Sequence, residues 1–328
     1  MPRDKIKTAV IGLGYLGRHH VEQLLQIPEA DLAGVYDISA DKMAEVQQRY
    51  QVSTFPTLEE ALSVAEAVLV VVPTQQHFKV AAQALKAGCH VFVEKPISQT
   101  LAEADQLLRL AEKQGRLIQV GHIERLNPAA RALEKYALEP RFIEGHRLAP
   151  FSERGTDVPV ILDLMIHDID VVLHLIKSPV REIRANGVNV ITDSCDIATA
   201  RIEFENGAVA NLTASRVSQK QMRKLRIFQS HIYIGVDFLQ RLTEVYRLVD
   251  PEEIPSEALL TMPFEFGGRR RLITYEKPEI RADNALYLEL SNFIRSIGGL
   301  EQPIVDGYSA RAALDVAIRI QEAIAETG

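Results

Sequence analysis

A glycine pattern close to the start of the chain is typical of a turn that binds phosphate groups. Gly12, Gly14 and Gly17 have the spacing G-x-G-x-x-G, between an apolar strand at 8–11 and a helical stretch at 17–26. The first glycine permits a tight turn, the second lets the backbone approach a pyrophosphate, and the third lets helix and strand pack closely. The N–H groups at the start of the helix would then bind the phosphates. The alternative is a glycine-rich turn without a ligand.

Asp37 ends the next predicted strand, 20 residues after Gly17, where a carboxylate can bind the ribose hydroxyls of a dinucleotide. A 2′-phosphate would be repelled there, and Ile38 and Ser39 supply no arginine to accept it, so the sequence favours NAD over NADP. Asp37 could instead be an ordinary turn carboxylate at the end of a strand. The predicted cofactor contacts around this turn also include Tyr15, Leu16 and Ile38.

The ends of the third and fourth predicted strands carry further candidates, because ligands of parallel sheets bind at the carboxyl ends of strands. We predict cofactor contacts at Pro73, Thr74, His77, Glu94 and Lys95, with Thr74 also capping the next helix. His77 could equally be a histidine at a helix start without a ligand. An ammonium group resists burial, so Lys95 after a buried strand suggests a position over a cleft, where it polarises a substrate oxygen. The alternative is a surface lysine paired with Glu94.

Asp163 and His167 are four residues apart, so a helix would project both from one face. A histidine that titrates near neutral pH can take the proton of a hydroxyl group, and Asp163 could orient it or bind a substrate hydroxyl. Two alternatives stay open: a metal site that includes Asp170, and a solvated helix end with a half-buried histidine.

Two regions of different pattern position these residues. In residues 1–122, short apolar strands alternate with helices, which predicts a parallel sheet with helices on both faces. In residues 123–328, a helix at 128–136 and another at 161–176 precede a run of strands, which indicates a mainly antiparallel sheet. Asn206–Gly207 between two apolar runs is a strong hairpin signal. Residues 251–268 are rich in Pro and Glu and predict a surface loop. The predicted strands of the second region lie at 182–190, 197–204, 208–215, 223–229, 231–238 and 243–248, and its last helices at 284–296 and 309–325.

Composition excludes several classes of protein. Of 328 residues, 47% are hydrophobic and 25% charged, as in globular proteins, and the length suits two domains. The net charge of −7 argues against binding to nucleic acid or to an anionic membrane. Cys89 and Cys195 form neither a C-x-x-C motif nor a zinc site. Without a secretory h-region or an apolar run of spanning length, we expect a cytoplasmic protein with no membrane partner.

Taken together, the glycine pattern, Glu94-Lys95-Pro96 and the pair Asp163 and His167 resemble the glucose–fructose oxidoreductase/inositol dehydrogenase/rhizopine catabolism family (Gfo/Idh/MocA). Arg125 and Pro128 match that family's segment between its two domains. The resemblance implies an α/β fold, with an N-terminal Rossmann domain and a C-terminal α/β domain built on a large open, mainly antiparallel sheet. It also implies Lys95, His167 and Asp163 as catalytic residues beside the nicotinamide of NAD. Residues 157–162 depart from the family's glycine-rich turn, which affects the expected pocket shape.

Gly121–Arg125, Asp163–Asp170 and Arg223–Phe228 look like the branch of this family that oxidises the 3-hydroxyl of UDP-N-acetylglucosamine. There the 3-keto sugar goes to an aminotransferase on the way to an amide-linked lipid A. The resemblance implies substrate binding by Lys95, Arg125, Asp163 and His167, and a homodimer or homotetramer formed through the C-terminal sheet. Rival hypotheses are a dehydrogenase of a free sugar or inositol and a non-catalytic, dinucleotide-sensing regulator. The candidate cations for a diphosphate are Arg125, Arg216, Arg223, Lys224 and Arg226, although residues 223–226 could also be alternating charges on a wet strand.

Overall fold

The computed structural model describes residues 5–152, 158–281 and 283–327, without the side chain of Thr327. The chain divides into two compact units, the first formed by Met1–Ile123 with Asp283–Asp315 and the second by Glu124–Ala282 with Val316–Gly328. The start of the chain and Asp157, which entered the sequence predictions, lie outside the described residues.

Among the described residues, unit 1 contains a sheet of five parallel strands in the order β2-β1-β3-β4-β5. The strands are apolar throughout their central residues because helices cover both faces, and β3 is buried at every position. This is the predicted Rossmann arrangement. The strands are β1 (Ile6–Ile11), β2 (Ala30–Tyr36), β3 (Ala67–Val70), β4 (His90–Glu94) and β5 (Ile118–Gly121).

The helices of unit 1 begin at residues with helix-capping chemistry. Thr100 caps α5 by accepting from the N–H of Glu103, whose carboxylate accepts from the N–H of Thr100 in return. The sequence prediction omitted α3. The helices of the first segment are α1 (Tyr15–Leu24), α2 (Ala40–Tyr50), α3 (Leu58–Val64), α4 (Thr74–Lys86) and α5 (Leu101–Gln114).

The sequence prediction placed the domain boundary between residues 122 and 123, whereas unit 1 also includes a C-terminal segment. Residues 283–315 belong to unit 1 because α8 (Ala285–Ile297) buries Leu290 and Phe293 in the same core as the first strands. The rings of Phe92 and Phe293 meet edge to face with their centroids 5.8 Å apart. The last helix, α9 (Gly307–Thr327), begins among the residues of unit 1 and ends among those of unit 2.

Unit 2 forms a nine-stranded sheet across the part of it that the structure describes, in the order β13-β14-β12-β11-β10-β6-β9-β8-β7. Only β6 and β9 pair in parallel among these neighbours, so the sheet is mainly antiparallel, as predicted. The strands are β6 (Phe142–Leu148), β7 (Val180–Val188), β8 (Ile197–Phe204), β9 (Val209–Ser215), β10 (Met222–Gln229), β11 (Ile232–Asp237), β12 (Leu242–Val249), β13 (Leu260–Phe266) and β14 (Arg269–Glu276).

In unit 2, the sequence prediction agrees with the structure where the local turn signal is strong. Gly207, with φ of 81°, turns the chain between β8 and β9, which pair as a hairpin. The predicted loop at 251–268 was wrong over β13, an edge strand that the structure pairs with β14. The helix predicted at 128–136 is shorter, because α6 spans Pro128–Arg131.

One face of the nine-stranded sheet packs against a helical segment. The opposite face of the sheet is called the outer face below. The segment consists of a π-helical turn at Ile161–Met165 followed by α7 (Ile166–Ile176), and it contacts β6 and β9. Burial alternates along β6 and β9, as the two-residue period of a strand requires. Along the described residues, no helix is both long and apolar enough to cross a membrane.

Candidate active site

The parallel sheet of unit 1 brings the predicted cofactor residues to one edge. The glycine turn follows β1, Asp37 follows β2, Pro73 follows β3, and Lys95 follows β4. Because these strands are parallel neighbours, their carboxyl ends meet at the same edge, where ligands of such sheets bind. The fold therefore places four distant sequence segments around one cleft edge.

The glycine turn has no room for side chains at its first and last glycines. Gly12 has φ of 97°, and a Cβ there would lie 2.4 Å from the carbonyl oxygen of Val71. A Cβ on Gly17 would lie 1.9 Å from the carbonyl oxygen of Gly12. Both positions keep strand β1, helix α1 and the segment after β3 in close contact.

Gly14 differs from the other two glycines because it faces open space. It is the N-cap of α1, and a Cβ there would meet no described atom within 4 Å. Its backbone dihedrals, φ −67° and ψ −163°, are open to any residue. The positive end of the α1 dipole and its first N–H groups lie at this point, so the turn offers an exposed backbone surface suited to a pyrophosphate.

Asp37 links the end of β2 to the glycine turn. Its Oδ2 accepts from the N–H of Leu13 at 2.7 Å, and its Oδ1 accepts from the N–H of Ser39 at 2.9 Å. The carboxyl group is buried to 7% exposure, and the Nζ of Lys42 lies 3.8 Å from Oδ2. These bonds fix the carboxylate where a ribose would meet it, and each oxygen keeps a second lone pair for a hydroxyl donor.

The apolar side chains predicted to contact the cofactor are exposed around this turn. Tyr15 is 59% exposed, Leu16 is 48% exposed and Ile38 is 94% exposed. Large apolar groups at such exposure suit a ligand with flat, apolar surfaces. The open Gly14 surface, the fixed carboxylate of Asp37 and these side chains together fit the pyrophosphate, ribose and adenine of NAD.

His77 lies deeper than a cofactor contact would. Its ring is 1% exposed, with Nδ1 2.7 Å from the carbonyl oxygen of Pro96 and Nε2 2.9 Å from that of Val72. Burial lowers the pKa of His77, while the two carbonyl groups and Glu94 oppose that shift. His77 therefore joins two loops, which differs from the predicted direct contact. The predicted cap is also corrected, since Pro73 is the N-cap and Thr74 is the first residue of α4.

Glu94 and Lys95 stand at the end of β4. The Oε1 of Glu94 lies 3.0 Å from Nε2 of His20, a buried side chain of α1, and its Oε2 accepts from the N–H of Lys95 at 3.3 Å. Burial alone would raise the pKa of Glu94, but the contact with His20 and the nearby Lys95 lower it overall. The side chain also fills the space where a Cβ on Gly121 would be, 2.9 Å away. Lys95 itself is half-buried.

In unit 2, Asp163 and His167 lie four residues apart in the helical segment that packs on one face of the sheet. Asp163 lies in the π-helical turn and His167 in the first turn of α7, and both are half-buried. The helix predicted at 161–176 is confirmed, and its π-helical start is a feature often found at functional sites. In the described residues, no three His, Cys, Asp or Glu side chains are grouped to hold a metal ion.

Arg125, predicted to bind substrate, has its guanidinium group against α7. Its Nε and Nη2 donate to the two oxygens of Asp170 at 2.7 and 2.6 Å. Its Nη1 lies 3.4 Å from Nδ1 of His174, one turn further along the helix. The side chain of Arg125 is 8% exposed, so the structure gives it a role in fixing the helix face that carries His167.

The sequence reasoning missed Arg147. This buried arginine of β6 donates to both oxygens of Asp168, at 3.0 and 2.7 Å, and to Glu124 at 2.8 Å. Burial alone would lower the pKa of Arg147, but Asp168 and Glu124 raise it. An arginine in an otherwise apolar position of an alternating strand was the signal that could have found it.

The remaining candidate cations do not form one cluster. Arg223 lies near Glu124 on one face of β10, while Lys224 and Arg226 lie on the other face. Lys224 and Arg226 pair with acidic residues at 3.0 and 2.6 Å. The Nη2 of Arg216 donates to the carbonyl oxygen of Val158 at 2.6 Å, close to the start of the π-helical turn.

Family models match both regions of the chain. A model described as an oxidoreductase family with an NAD-binding Rossmann fold matches residues 6–122. A model described as the GFO/IDH/MocA C-terminal domain matches residues 140–234.

Among characterised relatives, the UDP-N-acetylglucosamine 3-dehydrogenase of Acidithiobacillus ferrooxidans is 37% identical over 320 residues, which cover 97% of each chain. The myo-inositol 2-dehydrogenase of Thermotoga maritima is 26% identical over 329 residues, covering 94% of this chain and 93% of that protein. A solved structure of the Acidithiobacillus enzyme superposes with a TM-score of 0.87 at 35% identity, covering 98% of both chains. The apo scyllo-inositol dehydrogenase of Lactobacillus casei has a TM-score of 0.77 at 20% identity and covers 100% of this chain and 98% of its own, which shows a shared fold.

Proposed function

Because the chain belongs to the Gfo/Idh/MocA family of NAD-binding oxidoreductases, we propose that it oxidises the 3-hydroxyl of UDP-N-acetylglucosamine. The product would be a 3-keto nucleotide sugar. The observation that carries this substrate is the 37% identity to a UDP-N-acetylglucosamine 3-dehydrogenase, which extends over 97% of both chains and so includes both units. The inositol dehydrogenase relatives are less similar, at 26% identity for the Thermotoga enzyme.

In this proposal the edge of the parallel sheet binds the cofactor. The N–H groups at the start of α1 hold the pyrophosphate beside Gly14, and the fixed carboxylate of Asp37 accepts from the ribose hydroxyls. When bound, NAD accepts the hydride from the carbon that carries the reacting hydroxyl.

The chain's own residues then handle the proton and the charge. An imidazole nitrogen of His167 takes the proton of the substrate hydroxyl, a general-base role worth about 10²- to 10⁴-fold in rate. The ammonium of Lys95 stabilises the negative charge that develops on that oxygen, which in a water-poor site contributes about 3–4 kcal/mol. Asp163, four residues before His167, orients the imidazole or binds a neighbouring hydroxyl.

Two further features complete the proposal. Phe142, Phe228, Tyr233, Tyr246 and Tyr275 form a ladder across the outer face of the nine-stranded sheet, with successive ring centroids 5.0–5.8 Å apart. A second copy of the chain covers this face in a homodimer or homotetramer. The enzyme acts in the cytoplasm, where its 3-keto product feeds an aminotransferase that leads to amide-linked lipid A.

The substrate is tested by incubating the protein with NAD and UDP-N-acetylglucosamine. We expect reduced nicotinamide by absorbance, and a product that has lost two hydrogens and forms an oxime with hydroxylamine at C3, by mass spectrometry. Parallel incubations contain N-acetylglucosamine, myo-inositol or scyllo-inositol. Turnover of a free sugar or inositol, without turnover of the nucleotide sugar, would refute the proposed substrate. Binding of NAD without reduction by any hydroxylated compound would indicate the regulatory alternative.

The residue roles are tested with Lys95→Met and His167→Asn. Each variant is expected to bind NAD normally and to lose turnover by about 100-fold or more, because each lacks one charge- or proton-handling group. Lys86→Met is the matched control for Lys95, since Lys86 is an exposed lysine at the end of α4. Normal turnover in Lys95→Met or His167→Asn would contradict the assignment of that residue.

A further inference from the structure

We propose that two buried imidazoles, those of His20 and His77, hold Lys95 in position by binding the residues on either side of it. His20 contacts Glu94, which precedes Lys95, and His77 contacts Pro96, which follows it. This inference rests on the proposed function, in which Lys95 is a catalytic residue, and it assigns two positioning residues to that site.

His20 connects Glu94 to the helix that begins at the glycine turn. Its Nε2 lies 3.0 Å from Oε1 of Glu94, and its Nδ1 lies 3.0 Å from the carbonyl oxygen of Leu16. The ring is 1% exposed and packs near that of Phe92, with centroids 5.7 Å apart. A histidine enclosed in this way is fixed in orientation, so Glu94 is fixed with it.

His77 holds the other side of Lys95 from helix α4. Its Nδ1 lies 2.7 Å from the carbonyl oxygen of Pro96, and its Nε2 lies 2.9 Å from the carbonyl oxygen of Val72. The ring thus spans the segment after β3 and the segment after β4. At 1% exposure it is shielded from solvent, and water cannot easily replace these contacts.

The four contacts suit an imidazole ring. Each ring has one oxygen close to Nδ1 and another close to Nε2. A neutral imidazole donates a hydrogen bond from one of these nitrogens, and the protonated ring donates from both. Phenylalanine has a similar shape but offers no donor, whereas glutamine offers N–H donors without the ring. These two substitutions therefore separate ring packing from hydrogen bonding.

The geometry also explains how Lys95 could be placed accurately next to the cofactor turn. Helix α1 starts at Tyr15, directly after the glycines, and carries His20 in its second turn. The contact from His20 to Glu94 therefore fixes the lysine segment relative to the helix that binds the pyrophosphate. Small displacements of a catalytic group reduce turnover strongly, by about 100-fold for a shift of 1 Å.

The test compares His20→Phe, His77→Phe, His20→Gln and His77→Gln in the full-length protein. For each variant we would measure the melting temperature, the dissociation constant for NAD by isothermal titration calorimetry, and kcat and KM with UDP-N-acetylglucosamine. The Phe variants should lower kcat by about 10- to 100-fold while the dissociation constant for NAD stays within about 3-fold. The Gln variants should recover a large part of kcat. His19→Phe is the control, because His19 is an exposed neighbour on the same helix.

The possible outcomes either support or overturn the positioning role. Unchanged kcat in folded Phe variants overturns it, as does a loss of kcat that Gln does not recover. If a Phe variant fails to fold, the Gln variant decides: near-normal kcat supports the role, and a loss equal to that of Lys95→Met overturns it. Failure of the proposed function looks different, because either the unaltered protein would not turn over UDP-N-acetylglucosamine or Lys95→Met would turn it over normally, whatever the histidine variants do.

Discussion

Replacing Gly14 by alanine is expected to impair NAD binding without unfolding the protein. A Cβ at this position meets no described atom within 4 Å, and the backbone already has dihedrals that alanine adopts. Alanine is a poorer N-cap than glycine by about 0.5–1 kcal/mol. Alanine also lowers the conformational entropy of the unfolded chain, which stabilises the folded protein by about 0.4–1 kcal/mol. The two effects nearly cancel, so the melting temperature should change by no more than about 2 °C.

The effect on the cofactor has no such compensation. The added methyl group occupies the space through which the pyrophosphate must approach the N–H groups of α1. Loss of one hydrogen bond to a charged group costs about 1.5–3 kcal/mol, which corresponds to an NAD dissociation constant about 10- to 150-fold higher. Fluorescence titration with NADH and a thermal melt of the same sample measure both quantities.

Gly17→Ala is the contrasting variant for this experiment. Its Cβ would lie 1.9 Å from the backbone oxygen of Gly12, so helix α1 must move away from the turn. We expect Gly17→Ala to lower the free energy of unfolding by about 3 kcal/mol or more, so this variant is destabilised even in the absence of NAD. The reasoning is refuted if Gly14→Ala stays folded and binds NADH as tightly as the unaltered protein.

Three further variants test other parts of the structure. Asp37→Ala should raise the dissociation constant for NAD by about 10-fold and that for NADP less, because the carboxylate repels a 2′-phosphate; equal losses in two titrations would contradict this. Burial, together with Arg116, lowers the pKa of His90 to about 4. As the pH falls, His90 therefore takes up a proton at a higher pH in the unfolded chain than in the folded protein. The free energy of unfolding should fall by about 1–2 kcal/mol between about pH 6.5 and pH 4, after allowance for solvent screening. Urea unfolding of His90→Asn should show a smaller fall. Arg147→Met leaves two buried carboxylates without their cation and should lower the free energy of unfolding by about 3–5 kcal/mol, whereas an unchanged urea midpoint would show that this ion pair is not needed.

Features encoded by adjacent residues could be predicted from the sequence. The glycine spacing, the position of Asp37 after a strand and the helix at 161–176 depend on local patterns, and the structure contains all three. The hairpin at Asn206–Gly207 is equally local. Each of these features is specified by turn chemistry or by hydrophobic period over a short segment.

Features that depend on distant partners could not be predicted in this way. Helix α8 is amphipathic, and its sequence does not indicate which core its apolar face joins. The edge strand β13 is exposed along its whole length, so it lacks the buried alternation by which strands are recognised. His20 was overlooked because its partner, Glu94, is 74 residues away in the sequence. Pairings of this kind are set by the assembled sheet, which only the tertiary structure shows.

The charges around His167 can be understood from the pairs that α7 makes. Asp168 and Asp170 lie one and three residues after His167, and unpaired carboxylates close to an imidazole favour its protonated form, which cannot accept another proton. Arg147 and Arg125 each bind one of these carboxylates through two hydrogen bonds. Both acidic groups of the helix are therefore paired within its packing, and Arg147 also binds Glu124, so it serves two carboxylates. The missed arginine, Arg147, therefore fixes the same helix on which His167 lies.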